Sequence, residues 1–374
     1  MSKTTVQRLD ELGQSVWIDY ISRKLLDTGR LQELIDQGVR GLTSNPTIFD
    51  KAISGSADYD QSIKALKAGN PSVFEIYDEI TIKDIQDAAD LFRPVYEDTE
   101  GRDGYVSLEI DPRLANDAEG TIAEGKRLHA KVGRPNLMLK VPATDEGCAA
   151  ITALLEHGIN VNATLIFSLE HYLNTATAYV TGVRNLLTHG GNINRVHSVA
   201  SVFVSRVDTL VDENIDRLLN ASSGGTESHK LKRLRGAAAV ANAVIIYDKY
   251  RQVFANAKFE SLRKQGGNVQ RVLWGSTSTK NPAYSDIKYV AELVGKGTVN
   301  TIPQKTLEAF LDHGEVSEVL PGDLGQAQAV IEALADYEID IDLVCARLQE
   351  DGVIAFQNSF SSLLKTIEDK VVRL

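Results

Sequence analysis

The sequence predicts an α/β fold, a closed (β/α)8 TIM barrel with extra helices. Eight short runs rich in apolar and β-branched residues alternate with longer segments of helical period, the pattern of repeated βαβ units. The length of 374 residues suits one large barrel as well as two average domains. The competing fold, an open doubly wound sheet, usually brings a glycine-rich first turn, and no G-x-G-x-x-G occurs here.

The strands follow in order. SVWIDY (15–20), GLTSN (41–45), YVSLEI (105–110) and NLMLKV (136–141) supply the first four. INVNATLIF (159–167), VASVFVSR (199–206), RVLWGST (271–277) and TVNTIP (298–303) supply the rest. Segments such as SLEHYLNTATAYVTGVRNLL and NPAYSDIKYVAELVG read as the helices between them. Two connections exceed the usual spacing, residues 46–104 and 207–270, and the second holds a Ser/Gly turn, ASSGGTESHK. Both read as helical insertions on a single barrel domain spanning 1–374, which ends in a helix around 353–372.

Composition narrows the function. A hydrophobic content of 43% is ample for a large core. With 40 basic and 51 acidic residues the formal charge is -11, which argues against nucleic acid as a partner and leaves any anionic ligand to a few local cations. Cys148 and Cys345 show no metal or redox spacing. The N-terminal MSKTTVQRLDELGQS has no signal-peptide core and no apolar run is long enough for a bilayer, so a soluble cytoplasmic protein without membrane contact is expected.

Strand parity points to a polar lumen. In strand five Asn160, Asn162 and Thr164 share one face, and Ile159, Val161, Ala163 and Leu165 the other. In strand three Ser107, Glu109 and Asp111 oppose Val106, Leu108 and Ile110. Helices cover the outside of a barrel, so the polar faces turn inward. There they must satisfy one another, water or a ligand.

The chemistry centres on Lys140, set in an apolar strand and followed by Pro142. Lysine is rarely buried without a partner or a task. Burial disfavours an ammonium ion and frees an amine to attack a carbonyl. The ordinary alternative puts its head in water at the strand's mouth. Asp19, Asn45, Glu109 and Thr164 converge on Lys140 from four other strands, a set suited to Schiff-base chemistry with two carboxylates as proton carriers. A buried salt bridge is the structural alternative for either carboxylate alone. Arg206, closing strand six, and Lys280, beside Ser276 and Ser278 after strand seven, suit a phosphate monoester. Strand-end cations also cap helices or face solvent. Histidines 129, 157, 171, 189, 197, 229 and 313 form no metal-ligating pair, Cys148 reads as a small core residue, and no metal site or P-loop is expected.

These residues resemble the transaldolase family. GLTSNPTIF is similar to its signature after strand two, and NLMLKVPATDEG to its Schiff-base lysine motif. WID with Asp19, SLEIDPRLA with Glu109, INVNATLIFS with Thr164 and SVFVSRVD with Ser201, Phe203 and Arg206 follow in register, over about residues 15–305. The resemblance implies a class I aldolase barrel needing no cofactor, acting as a monomer or homodimer in the non-oxidative pentose phosphate pathway. It would convert sedoheptulose 7-phosphate and glyceraldehyde 3-phosphate to erythrose 4-phosphate and fructose 6-phosphate. By the same resemblance Lys140 is the nucleophile, Asp19 moves the hydroxyl proton at C–C cleavage, and Glu109 acts through a water held by Thr164. Thr43, Asn45, Asn162, Ser201 and Phe203 would contact the substrate, with Arg206, Ser278 and Lys280 on its phosphate.

One departure concerns that phosphate. Better-known members carry arginine where this chain has Lys280, which keeps the charge but loses the bidentate fork. Two other functions compete. A fructose 6-phosphate aldolase would release free dihydroxyacetone, but such enzymes typically carry Gln at the position of Glu109 and Tyr at that of Phe203. A non-enzymatic sugar-phosphate binding barrel would use Lys140 only to pair Glu109.

Overall fold

Eight parallel strands close into one barrel in sequence order, each beside the next and the last beside the first. A computed structural model describes residues 3–221 and 225–374. The strands are β1 Gln14–Ile18, β2 Gly41–Thr43, β3 Tyr105–Glu109, β4 Leu137–Pro142, β5 Val161–Ile166, β6 Ser198–Phe203, β7 Arg271–Gly275 and β8 Thr298–Ile302. All eight expected strands are present, most a residue or two shorter than their runs.

The ends that shorten do so for local reasons. Strand two stops at Thr43 because Asn45 caps the helix Pro46–Ser54, its side chain accepting from the Ile48 amide, with Pro46 preset for the first helical position. Strand six stops at Phe203, so Arg206 lies in the first turn of the helix Ser205–Ala221 and does not close the strand as expected. Asp111 lies beyond strand three, where it caps the short turn Pro112–Leu114 and pairs with Arg113. The stretch NPAYSDIKYVAELVG is mostly turns, with helix only at Lys288–Ala291. There the Asn281 side chain accepts from the Ala283 amide and Tyr284 is drawn to Asp212, which compete with helical pairing.

Residues 46–104 carry the helices Pro46–Ser54, Asp60–Lys67 and Val73–Asp98. The second long connection carries Thr226–Leu234, Ala238–Ala255 and Ala257–Arg263, and the Ser/Gly turn expected before them falls partly on 222–224, outside the described residues. The C-terminal helix is longer than expected, Ile341–Arg373. Asp340 starts it by accepting from the Asp342 and Leu343 amides.

The barrel wall sorts side chains as parity requires. Val106, Leu108, Val161, Ala163 and Leu165 join the large apolar layer under the outer helices. The lumen has two halves. Its lower half holds an apolar plug of Trp17, Tyr105, Met138, Val199, Leu273 and Val299 next to a buried Arg271–Asp103 ion pair at 2.8 Å that also engages Ser15 and the Trp17 indole, not the uniformly polar lining that strands three and five suggested. Gly41 faces Trp17, where an added Cβ would come within 2.6 Å of the indole, so only glycine lets that ring fill the barrel. Above the plug the inward residues turn polar. The register Glu109↔Lys140↔Asn162 sets these three side by side on adjacent strands at the C-terminal end, where barrel chemistry is built.

Candidate active site

Lys140 is 4% exposed, and its Nζ lies 3.4 Å from Glu109 Oε2 and donates to the Ser44 carbonyl at 3.2 Å. The carboxylate pair partner is as buried as the lysine. At 3.4 Å the contact is an ion pair longer than a good charge-assisted hydrogen bond. Among the described residues neither Glu109 oxygen accepts a hydrogen bond, and the buried Thr164 hydroxyl is also without a partner. Burial pushes the Glu109 carboxyl above its ordinary value, the nearby charge of Asp19 adds to this, and Lys140 opposes it.

Asp19 stands just past the end of β1. Thr43 Oγ1 donates to its Oδ1 at 2.7 Å and lies 2.6 Å from Thr301 Oγ1. Since Thr43 has one proton to give, Thr301 donates to Thr43, and a hydroxyl relay from β8 through β2 fixes the carboxylate. Burial raises the Asp19 carboxyl above its ordinary value, and the charges of Lys140, Arg206 and Lys280 oppose that rise. Asp19 therefore lies within electrostatic reach of both the buried amine and the outer cations.

These groups open on a cavity of about 280 Å³ at the C-terminal mouth, close to the lower end of ordinary ligand pockets. Asp19, Thr43, Asn45, Lys140, Ser201, Phe203, Arg206, Ser278 and Lys280 all line it, so nine of the twelve expected site residues share one wall. Glu109, Asn162 and Thr164 stand behind that wall. Asn162 donates to Ser107 Oγ at 3.1 Å and accepts from Ser201 Oγ at 2.6 Å, which aims Ser201 from beneath. The fully buried Asn162 amide is thus committed to the wall and makes no part of its surface.

The outer end of the cavity is cationic. Arg206 lies 5.2 Å from the Phe203 ring centroid, and no carboxylate pairs with its guanidinium among the described residues. Burial lowers Arg206 below its usual range and Asp19 opposes this. Lys280 Nζ donates to Ser278 Oγ at 2.7 Å. Burial also lowers Lys280, and the charges of Arg206 and Lys51 lower it further. Ser276, on the same wall, holds a left-handed backbone at φ 53°, a strained setting of the kind that collects at functional sites. Three close cations without a matching set of carboxylates suit a doubly charged anion.

Sequence reasoning missed Lys51, Thr301 and Phe356. Lys51 follows the signature GLTSNPTIF by only two positions, and helical spacing of four from Thr47 within that signature could have placed it at the mouth. Thr301 is inward by parity in TVNTIP. Phe356 comes from the C-terminal helix and carries no local signal. None of the seven histidines lines the cavity, and no group of His, Cys, Asp or Glu suited to a metal occurs among the described residues.

The sequence pattern described as Transaldolase/Fructose-6-phosphate aldolase matches residues 16–367. The chain belongs to this family. A transaldolase of Trichodesmium erythraeum is 44% identical over 369 residues, covering 98% of this chain and 97% of the relative. One from Saccharopolyspora erythraea is 46% identical over 372 residues, with 99% and 98% covered. A protein named transaldolase 2 from Nostoc punctiforme is 43% identical, with 99% and 98% covered. Membership in the transaldolase/fructose-6-phosphate aldolase family thus extends from the first strand into the C-terminal helix, well past the motifs at the strand ends. No helix among the described residues is long and apolar enough to cross a membrane.

Proposed function

We propose that the protein is a transaldolase that moves a dihydroxyacetone unit between sugar phosphates through an imine on Lys140. The observation that carries this reading is the placement of one buried amine beside a carboxylate at 3.4 Å, on a cavity whose far end holds Arg206 and Lys280. The donor is sedoheptulose 7-phosphate and the acceptor glyceraldehyde 3-phosphate, with erythrose 4-phosphate and fructose 6-phosphate as products.

The ketone carbon of the donor meets Lys140 Nζ, and the phosphate lies on Arg206, Lys280 and the Ser278 hydroxyl. Asn45 and Ser201 hold hydroxyls of the three-carbon end, with Asn162 orienting Ser201. The amine adds to the ketone, and water leaves as the imine forms. Glu109 serves this step from behind the lysine. Its two oxygens, neither of them in a hydrogen bond, and the likewise unbonded Thr164 hydroxyl suit a shared water that shuttles the proton. Asp19, held by Thr43, then takes the C4 hydroxyl proton, the C3–C4 bond breaks, and its electron pair passes into the protonated imine. The aldehyde leaves, the second aldehyde enters, and the same steps run backwards. The imine is the electron sink, so the chemistry calls for no separate cofactor.

Phe203 and Glu109 favour transfer over simple aldol cleavage. The cytoplasm is the proposed setting, which suits the free thiols of Cys148 and Cys345. Supplied with fructose 6-phosphate and erythrose 4-phosphate, the enzyme is expected to make sedoheptulose 7-phosphate and glyceraldehyde 3-phosphate. Free dihydroxyacetone as the main product would overturn the transferase reading in favour of an aldolase.

A further inference from the structure

The C-terminal helix Ile341–Arg373 runs across the mouth of the barrel and inserts one side chain into the cavity. That side chain is Phe356, 4% exposed, with its ring centroid 5.9 Å from Lys140 Nζ. Its position is fixed close by on both sides. Two turns earlier, Gln349 Nε2 donates to the Ala143 and Leu165 carbonyls, each at 3.0 Å, where β4 and β5 end. The next residue, Gln357, donates to the Pro112 carbonyl at 3.2 Å beyond β3, and Thr47 donates to Ser359 at 2.8 Å. Gly352 lets the helix settle on Leu165, whose side chain would lie 2.9 Å from an added Cβ. Four separate segments of the barrel mouth thus hold the ring against the lysine.

We infer that Phe356 is a specificity-determining residue that keeps the Lys140-bound three-carbon unit for transfer and restricts protonation of its enamine by bulk water. The inference rests on the imine reading of Lys140. After the first aldehyde leaves, the bound enamine has two fates. It can add to the second aldehyde through its nucleophilic carbon. Alternatively that carbon takes a proton to restore the iminium ion, and water adds to the carbon bonded to Nζ. The C–N bond then breaks, a proton returns to solvent, and dihydroxyacetone departs as Lys140 regains its amine. Both fates end when one water adds to the carbon bonded to Nζ, so they part at the enamine, where release needs a proton on the nucleophilic carbon and transfer needs an aldehyde. Glu109 and Thr164 lie behind the lysine and can admit a single placed water. Phe356 makes the cavity side of the nitrogen apolar, where bulk water would otherwise reach the bound enamine and protonate its carbon.

The test is the ratio of two rates, dihydroxyacetone release from fructose 6-phosphate alone and transfer to erythrose 4-phosphate. Both scale with the amount of folded enzyme, so the ratio is blind to lost stability. Phe356→Ala should raise release over transfer by about tenfold, with Phe356→Leu in between, because a wall of hydrocarbon is then removed or thinned. Borohydride trapping of fructose 6-phosphate on Lys140 should persist in both variants, which separates this claim from the imine reading. An unchanged ratio in both variants, with the two rates falling together, would overturn the inference and leave Phe356 as a packing residue. Loss of trapping in the unmodified enzyme would overturn the imine reading itself.

Discussion

Replacing Glu109 with glutamine removes one charge and almost no volume, and its consequences can be worked from the geometry. At 3.4 Å the attraction between Glu109 and Lys140 is about 5 kcal/mol at an effective dielectric constant of ~20. Breaking a net-stabilising buried pair costs about 3–5 kcal/mol. That loss is not expected here, because burial holds the Glu109 carboxyl above its ordinary value, which means desolvation outweighs the attraction in the fold. A carboxyl raised in this way contributes stability below its unfolded value and loses it as pH rises through the folded one. At neutral pH, then, Glu109→Gln should cost much less stability than the intact pair suggests. Kinetics should suffer far more. An amide cannot pass a proton through the water beside Thr164, so imine formation should slow by about a hundredfold to ten-thousandfold. Single-turnover quenching of fructose 6-phosphate with borohydride, read as mass added to Lys140, reports that step directly. Full-rate trapping by Glu109→Gln would refute the assignment of Glu109 to imine formation.

Asp19→Asn should show the opposite defect, with borohydride still trapping fructose 6-phosphate on Lys140 but no transfer to an aldehyde; absent trapping would mean that Asp19 serves the lysine instead. Asp19 must be ionised to act, and burial raises its carboxyl. Hence kcat/KM should fall on the acid side at a pH above the ordinary aspartate value, as a pH–rate profile would show. By the same sign, ionised Asp19 is a cost to the fold at neutral pH, so Asp19→Asn should not lower the Tm. Removing Arg206 or Lys280 with methionine should raise KM for phosphorylated sugars and spare unphosphorylated fructose. The exposed Lys51 should matter less, and equal losses on both substrates would assign these cations to the fold.

The sequence exposed the barrel because its strands are short, β-rich and evenly interleaved with helical text, a signal that survives errors of a residue or two at each end. It exposed the site because that site is built where strands end, and parity marks Glu109, Asn162, Thr164 and Ser201 as inward. What escaped depends on contacts between distant segments. Asn162 read as a ligand-facing amide, but only the fold shows Ser201 above it and Ser107 beside it. The apolar plug was missed although alternation puts Trp17 on the face of Asp19, Met138 on that of Lys140 and Leu273 on that of Arg271. Parity gives the direction of a side chain and not how far the polar layer extends down the barrel. The C-terminal helix was started too late because Asp351-Gly352 reads as a turn; the glycine is there for the close approach to Leu165. Phe356 could not be singled out among the aromatics of that helix until its path over the mouth was known.

The central claim is that Lys140 is the covalent nucleophile. It is tested most directly by mass analysis after borohydride reduction in the presence of fructose 6-phosphate. The account predicts one reduced three- or six-carbon adduct on the peptide containing Lys140, and neither adduct nor turnover in a folded Lys140→Met variant. Near-normal turnover by Lys140→Met, or an adduct on a different lysine, would contradict it.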